Sequence, residues 1–225
     1  MQASDLFTLS DEFPFAGHFS PDVPPWEWVK SIGPALNGFG FPATRDDLPA
    51  GIHCEGRVFV HPSVTLPHTC TLIGPAYIGA GTEIRPGAYI RGNVIVGENC
   101  VLGNACEFKN CLLLNGVEAP HFNYVGDSVL GNGAHLGAGA VLANLRLDRG
   151  QVTVRLSSGA VDTGLRKLGG LLGDGAEVGC NAVLQPGTVI GKRAVVLPGL
   201  AFGGVLPAAS IARVRETTTT LPRKD

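Results

Sequence analysis

From Val60 onward an aliphatic residue returns every six positions, and few folds can accept that period. The chain reads VHPSVT, LPHTCT, LIGPAY, IGAGTE, IRPGAY, IRGNVI, VGENCV, LGNACE and FKNCLL, then resumes as LGNGAH, LGAGAV and LANLRL. It returns again from Leu172 as LGDGAE, VGCNAV, LQPGTV, IGKRAV and VLPGLA. Six matches neither the 3.6-residue period of an amphipathic helix nor the two-residue alternation of an ordinary strand. It fits short strands joined by sharp turns, with three hexapeptides closing a triangular coil of eighteen residues. In this reading the aliphatic residue points inward. The small residue four places later (Cys70, Ala88, Cys100, Cys106, Ala134, Ala140) fills the narrow corner beside it. Glycine at the second position is expected to ease the tight turn. Coils would stack at the parallel-strand spacing of about 4.8 Å. The expected fold is all-β, a parallel β-helix.

The flanks differ from the repeat. Residues 1–50 carry scattered aromatics and prolines, with one short helix predicted at PWEWVKSI and Pro25 in its first turn. They read as a cap over the first coil, whose open end would expose unpaired strand groups. Residues 51–207 form the β-helix, and residues 208–225, ending in ETTTTLPRKD, read as a loose tail. A net charge of −2 offers no basic field for nucleic acid. No stretch approaches the ~20 apolar residues of a membrane span, and MQASDLFTLSDEF lacks the basic and apolar regions of a signal peptide. A cytoplasmic protein is expected. The six cysteines show no CxxC pair and read as reduced, small core residues.

Two interruptions break the repeat. Between Leu114 and Leu130 sixteen residues stand where twelve would keep register, so about four should loop out near NGVEAPHFNY. The second runs from about Asp148 to Leu171 and holds VTVRL, a candidate strand, and the basic segment DTGLRKLGG. Loops on a rigid scaffold are where functional groups collect. Arg91 and Lys109 both take the second position of their hexapeptides, eighteen residues apart, so they should lie one coil apart on one face. Cations that close need an anion. Either Glu107 supplies it, or a bound phosphate does, for which arginine is a natural bidentate ligand.

The stretch EFKNCLLLNGVEAPHFNYVGDSVLGNGAHLGAGAVLANLR resembles the acetyltransferase half of the bifunctional glucosamine-1-phosphate acetyltransferase/N-acetylglucosamine-1-phosphate uridyltransferases. DTGLRKLGGLLGD is more similar to the archaeal sugar-1-phosphate nucleotidyltransferases, and the resemblance spans roughly residues 58–214. It implies a left-handed β-helix, a homotrimer, acetyl-CoA as cosubstrate and an amino-sugar 1-phosphate as acceptor. It also implies roles: His121 as general base; Arg91, Lys109, Tyr124 and Lys167 on the sugar phosphate; Asn144, Ala138, Cys180 and Arg213 on the coenzyme side. His135 stands where the family has an asparagine that contacts the sugar. The glycine-rich GxGTRM-type nucleotide loop is absent from these residues, so uridylyl transfer is not expected of them.

An amino-sugar ammonium must lose a proton before it can attack a thioester, and histidine is suited to take it. Without its neighbours, His121 would read as an ordinary surface residue, and Tyr124 as a hydrogen-bonded wall residue. Two other classes share the fold. A zinc enzyme of the γ-carbonic anhydrase type needs three converging histidines, and His53, His61 and His68 cluster far in sequence from His121 and His135. A non-catalytic scaffold needs none of these residues. No metal is expected for acetyl transfer.

Overall fold

A computed structural model describes residues 1–43 and 47–214. The terminal segment ETTTTLPRKD lies outside the described residues. The repeat winds into a parallel β-solenoid with three faces. The first face stacks eight strands, from Ile52–Glu55, Cys70–Ile73 and Tyr89–Arg91 at one end to Val183–Leu184 and Ala201–Phe202 at the other. The second runs from Val58–Val60 through Val94–Val96 and Gly170–Leu172 to Val205–Leu206. The third runs from Glu83–Ile84 through Glu118–His121 and His135–Leu136 to Ile211–Ala212. This last strand pairs with Val195–Val196, so the solenoid continues past residue 207, where the sequence suggested a tail.

The inward positions are as the period predicts. Ile78, Ile84, Ile90, Leu102, Phe108, Leu136 and Leu142 form one buried column, and Cys70, Ala88, Cys100, Cys106, Ala134 and Ala140 are buried beside them. Cysteine suits that corner because a small, weakly polar side chain fills it without stranding a strong donor. All six cysteines are unpaired, and burial pushes the thiol of Cys70 up to about 11 and that of Cys100 up to about 12.

Two local expectations need correction. The second-position glycines do not supply the turn. A Cβ on Gly79 would lie 2.4 Å from the carbonyl oxygen of Gly97, so glycine there lets neighbouring coils approach. The left-handed backbone falls at the fourth position instead, at Gly81, Gly87, Asn99, Ala105 and Asn181. The first interruption is not a loop. The seven-residue strands Glu107–Leu113 and Tyr124–Leu130 run from the first face around a corner to the second, and Glu107 pairs with Tyr124, seventeen residues on. At that corner Asn110 and Asp127 adopt positive φ (46° and 49°), a conformation that Asn and Asp tolerate better than most residues. The corner there takes one residue fewer, and residues 114–130 form an ordinary coil. The second interruption is a true insertion: strands Val152–Leu156 and Gly159–Leu165 make an antiparallel hairpin.

The N-terminal segment also sits elsewhere than expected. It lies along the second face rather than over the first coil. Its helix, Glu27–Gly38, buries Trp28, Val29, Ile32, Ala35 and Leu36. That stripe joins Phe7, Phe15 and Phe19 in a second core with the outward residues Ile95, Leu112, Val129, Leu171 and Val189 of the solenoid. Val152 and Val154 of the hairpin complete this core. A solenoid face made of outward aliphatics would be a large exposed apolar patch; helix, aromatics and hairpin remove it from water. The first and third faces carry no such cover from these segments.

Candidate functional site

Most of the expected site residues fall on two corners that bound the first face. At the corner between the first and second faces lies Asp127, about 5% exposed. Its carboxylate accepts from Lys109 Nζ at 3.2 Å, Asn110 Nδ2 at 2.8 Å and Asn144 Nδ2 at 2.5 Å. Asn144 also donates to the Tyr124 hydroxyl at 3.1 Å. Tyr124 reaches it by folding over Gly126, where any Cβ would lie 2.5 Å from the phenol oxygen. Burial raises the Tyr124 pKa and keeps the phenol a donor. Lys109, Tyr124 and Asn144, chosen independently of Asp127, are thus held in one network by it.

Arg91 stands one coil from Lys109, since Ile90 pairs with Phe108. The two cations do not share an anion. Arg91 donates to Glu107 Oε1 at 2.5 Å, and that bond is the main reason its pKa is raised, while Lys109 pairs with Asp127. The Glu107 partnership that the sequence allowed is therefore present, for Arg91 only. Lys167 lies at the base of the hairpin, next to Leu145 through an isolated bridge, and is exposed.

The opposite corner, between the third and first faces, presents His121 at the end of strand Glu118–His121 rather than on a loop. Asn123 fixes this corner. It is 2% exposed, its Oδ1 accepts from the His121 backbone N–H at 3.2 Å, and its Nδ2 donates to the Gly137 carbonyl at 2.8 Å. The imidazole itself is exposed and makes no hydrogen bond among the described residues; its ring neighbour is Phe122, 61% exposed. Ala138 and Cys180 occupy the same corner in later coils: Gly139 donates to the His121 carbonyl, and Asn181 to that of Ala138. His135 lies on the third face, paired in register with Glu118 and Glu177. Arg213 lies at the end of that face beside Ile211–Ala212.

Sequence reasoning missed Asp127 and Asn123. Asp127 follows Lys109 by eighteen residues, but in this coil Lys109 pairs in register with Gly126, seventeen on, so the eighteen-residue count that set Arg91 beside Lys109 does not place it. Among the described residues no three His, Cys, Asp or Glu side chains converge as metal ligands, His53, His61 and His68 included. Among the described residues no helix is long and apolar enough to cross a membrane.

Comparison with known proteins adds to this geometry. Residues 72–158 match the family described as the GMPPB C-terminal domain. The chain is 31% identical over 185 residues to the bifunctional sugar-1-phosphate nucleotidylyltransferase/acetyltransferase of Sulfurisphaera tokodaii, covering 82% of this chain and 46% of that protein. It is 29% identical over 187 residues to the bifunctional protein GlmU of Methanococcus vannielii, covering 80% of this chain and 43% of that protein. The chain therefore spans less than half the length of these relatives. Among solved structures, the polysialic acid O-acetyltransferase OatWY aligns with 76% of this chain and 94% of its own at 12% identity, with a TM-score of 0.34, a likeness too loose to build on.

Proposed function

We propose that this relative of the bifunctional sugar-1-phosphate nucleotidylyltransferase/acetyltransferases is an acetyl-CoA-dependent N-acetyltransferase acting on an amino-sugar 1-phosphate. The observation that carries the reading is the network around Asp127, which gathers a lysine, an asparagine and a tyrosine on the face that His121 borders. Lys109 and Arg91 offer positive charge to a phosphate, Tyr124 offers a hydroxyl, and Lys167 adds a further cation at the edge. A phosphate arriving there competes with Asp127 and Glu107 for donors already set in place.

His121 takes a proton from the sugar ammonium. The freed amine attacks the acetyl carbonyl and the C–S bond breaks; the leaving thiolate takes the proton back from the imidazolium, and the second proton of the attacking nitrogen passes to solvent as the amide forms. The same-corner positions Ala138 and Cys180, with Asn144 and Arg213, form the coenzyme side in this reading. His135, in place of an amide, bears on the choice of sugar. Six unpaired cysteines suit a reducing, cytoplasmic setting.

We further propose a homotrimer with sites between adjacent chains. The His121 ring has no orienting partner among the described residues, and a base that acts in a triad-like arrangement needs one. A neighbouring chain, or substrate itself, would supply it, and the exposed first and third faces are free for that contact. The test is thiol release from acetyl-CoA across glucosamine-1-phosphate, galactosamine-1-phosphate and nucleotide-linked amino sugars, with light scattering on the same sample. Release with a phosphorylated amino sugar from a trimer is expected. A stable monomer at micromolar concentration contradicts the shared site, and no release with any acceptor contradicts the activity.

A further inference from the structure

A cleft of about 660 Å³ opens beyond the Asp127 corner, between the solenoid, the helix Glu27–Gly38 and the base of the hairpin. Its rim carries Lys30 from the helix and Arg149, Arg166 and Lys167 from the two ends of the hairpin. Asn93 and Asn110 line its floor. Among the described residues Asp127 is the one carboxylate on the lining, and its oxygens are already taken by Lys109, Asn110 and Asn144. Lys30 has Glu27 at 2.7 Å, whereas Arg149, Arg166 and Lys167 have no ion-pair partner among the described residues. A chain of net charge −2 thus concentrates four cations around one concavity.

Like charges held around a concave wall repel one another and focus a positive potential into it. Guanidinium groups in such a setting select phosphate oxygens, which they bind with paired, charge-assisted hydrogen bonds. Arg91 and Lys109 already serve the sugar phosphate on the first face. Of the cleft's cations, Lys167 adjoins that phosphate, while Lys30, Arg149 and Arg166 come from two segments outside the repeat, the helix and the hairpin. Its volume lies in the range of small-molecule sites and exceeds what one phosphate group fills.

We propose that this cleft is a pyrophosphate-ester site, with Lys30, Arg149 and Arg166 holding the two linked phosphates. The identity of the ester rests on the acyltransferase reading: it is either the pyrophosphate of acetyl-CoA or that of a nucleotide-linked amino sugar. The binding chemistry is the same for both.

Titration calorimetry on the intact chain tests the site with inorganic pyrophosphate and inorganic phosphate as probes. Pyrophosphate should bind about tenfold or more tightly than phosphate, the effect of at least one added charge-assisted contact. The triple variant Lys30→Ala, Arg149→Ala, Arg166→Ala should lose that preference and keep its phosphate affinity. All three side chains are exposed, so its melting temperature should stay near that of the parent. Displacement of pyrophosphate by UDP identifies the nucleotide-linked sugar as the source, and displacement by coenzyme A identifies the coenzyme. Equal affinity for the two anions, a triple variant that keeps the preference, or displacement by neither ester overturns the proposal. Failure of the acyltransferase reading looks different: thiol release is absent while selective pyrophosphate binding persists.

Discussion

The two corners that border the first face are built on opposite plans. At the Asp127 corner every polar group in the network has a partner, and the carboxylate joins a lysine and an amide from the coil before to an amide from the coil after. At the His121 corner the backbone is fixed by the buried Asn123, yet the imidazole it presents is exposed and without a hydrogen-bond partner among the described residues. Burying a polar network commits folding energy to it, because each member left unpaired costs about 1–3 kcal/mol. An exposed imidazole commits almost none. The Asp127 network therefore contributes to stability, whereas the exposed imidazole contributes little to it. Substitutions should separate the two.

The largest expected effect falls on the exposed corner. His121→Ala should lower kcat by roughly 10²–10⁴-fold, with melting temperature and acetyl-CoA affinity little changed. If the variant turns over at the parent rate, His121 is a surface residue and the contrast has no functional content. Lys109→Ala comes next. Losing a charge-assisted contact of about 1.5–3 kcal/mol should reduce kcat/KM for the phosphorylated amino sugar by roughly tenfold to a hundredfold, and weaken inhibition by inorganic phosphate in parallel. A loss of stability with unchanged substrate preference would assign Lys109 to Asp127 alone.

Asp127→Ala should act on the fold. It leaves a lysine and two amides without their acceptor, at a cost of about 2–3 kcal/mol, or roughly 5–10 °C in melting temperature for a chain of this size. Its KM for the phosphorylated sugar should also rise, since Lys109, Asn144 and through it Tyr124 lose their positions. A variant with parental melting temperature would show that the network is not held by Asp127. The smallest effects concern the thiols. Cys70 and Cys100 have their pKa values raised to about 11 and 12 by burial. Their neutral forms therefore favour the folded state below the ordinary thiol range, near 9.0, and that contribution is lost as pH rises from there through about 12. Melting temperature should fall over that interval. Iodoacetamide at pH 8 should label exposed Cys180 before any buried cysteine, and coenzyme A should slow that labelling if Cys180 faces it.

The same contrast separates what the sequence made legible from what it hid. The inward column could be read because solenoid burial repeats with the period of the chain: Ile78, Ile90 and Leu136 are inward wherever six is counted faithfully. Counting fails at the Asp127 corner. Two short turns, at Asn110 and Asp127, each remove one residue, so Leu113 rather than Leu114 points inward, and a normal coil looked like an insertion. Leu114 is buried too, but among the side chains of the N-terminal segment. The placement of that segment was hidden for a related reason. Its partners, such as Ile95 and Val129, are single outward aliphatics spread over many coils, and no local pattern in residues 1–50 points to them. The hairpin was half visible, as VTVRL. The roles expected of His121 and Lys167 came from family resemblance alone, since their chemistry leaves no mark on the period, whereas Arg91 was placed beside Lys109 by the period itself.

The central claim is that this face carries a phosphate-reading acetyl acceptor site, and one comparison addresses it most directly. The intact chain is supplied with acetyl-CoA and either glucosamine-1-phosphate or free glucosamine, and kcat/KM is measured for each from thiol release. The phosphorylated sugar should be favoured by about tenfold or more, as expected when charge-assisted contacts to Lys109 and Arg91 are made with one acceptor and not the other. Equal use of the two acceptors would contradict it.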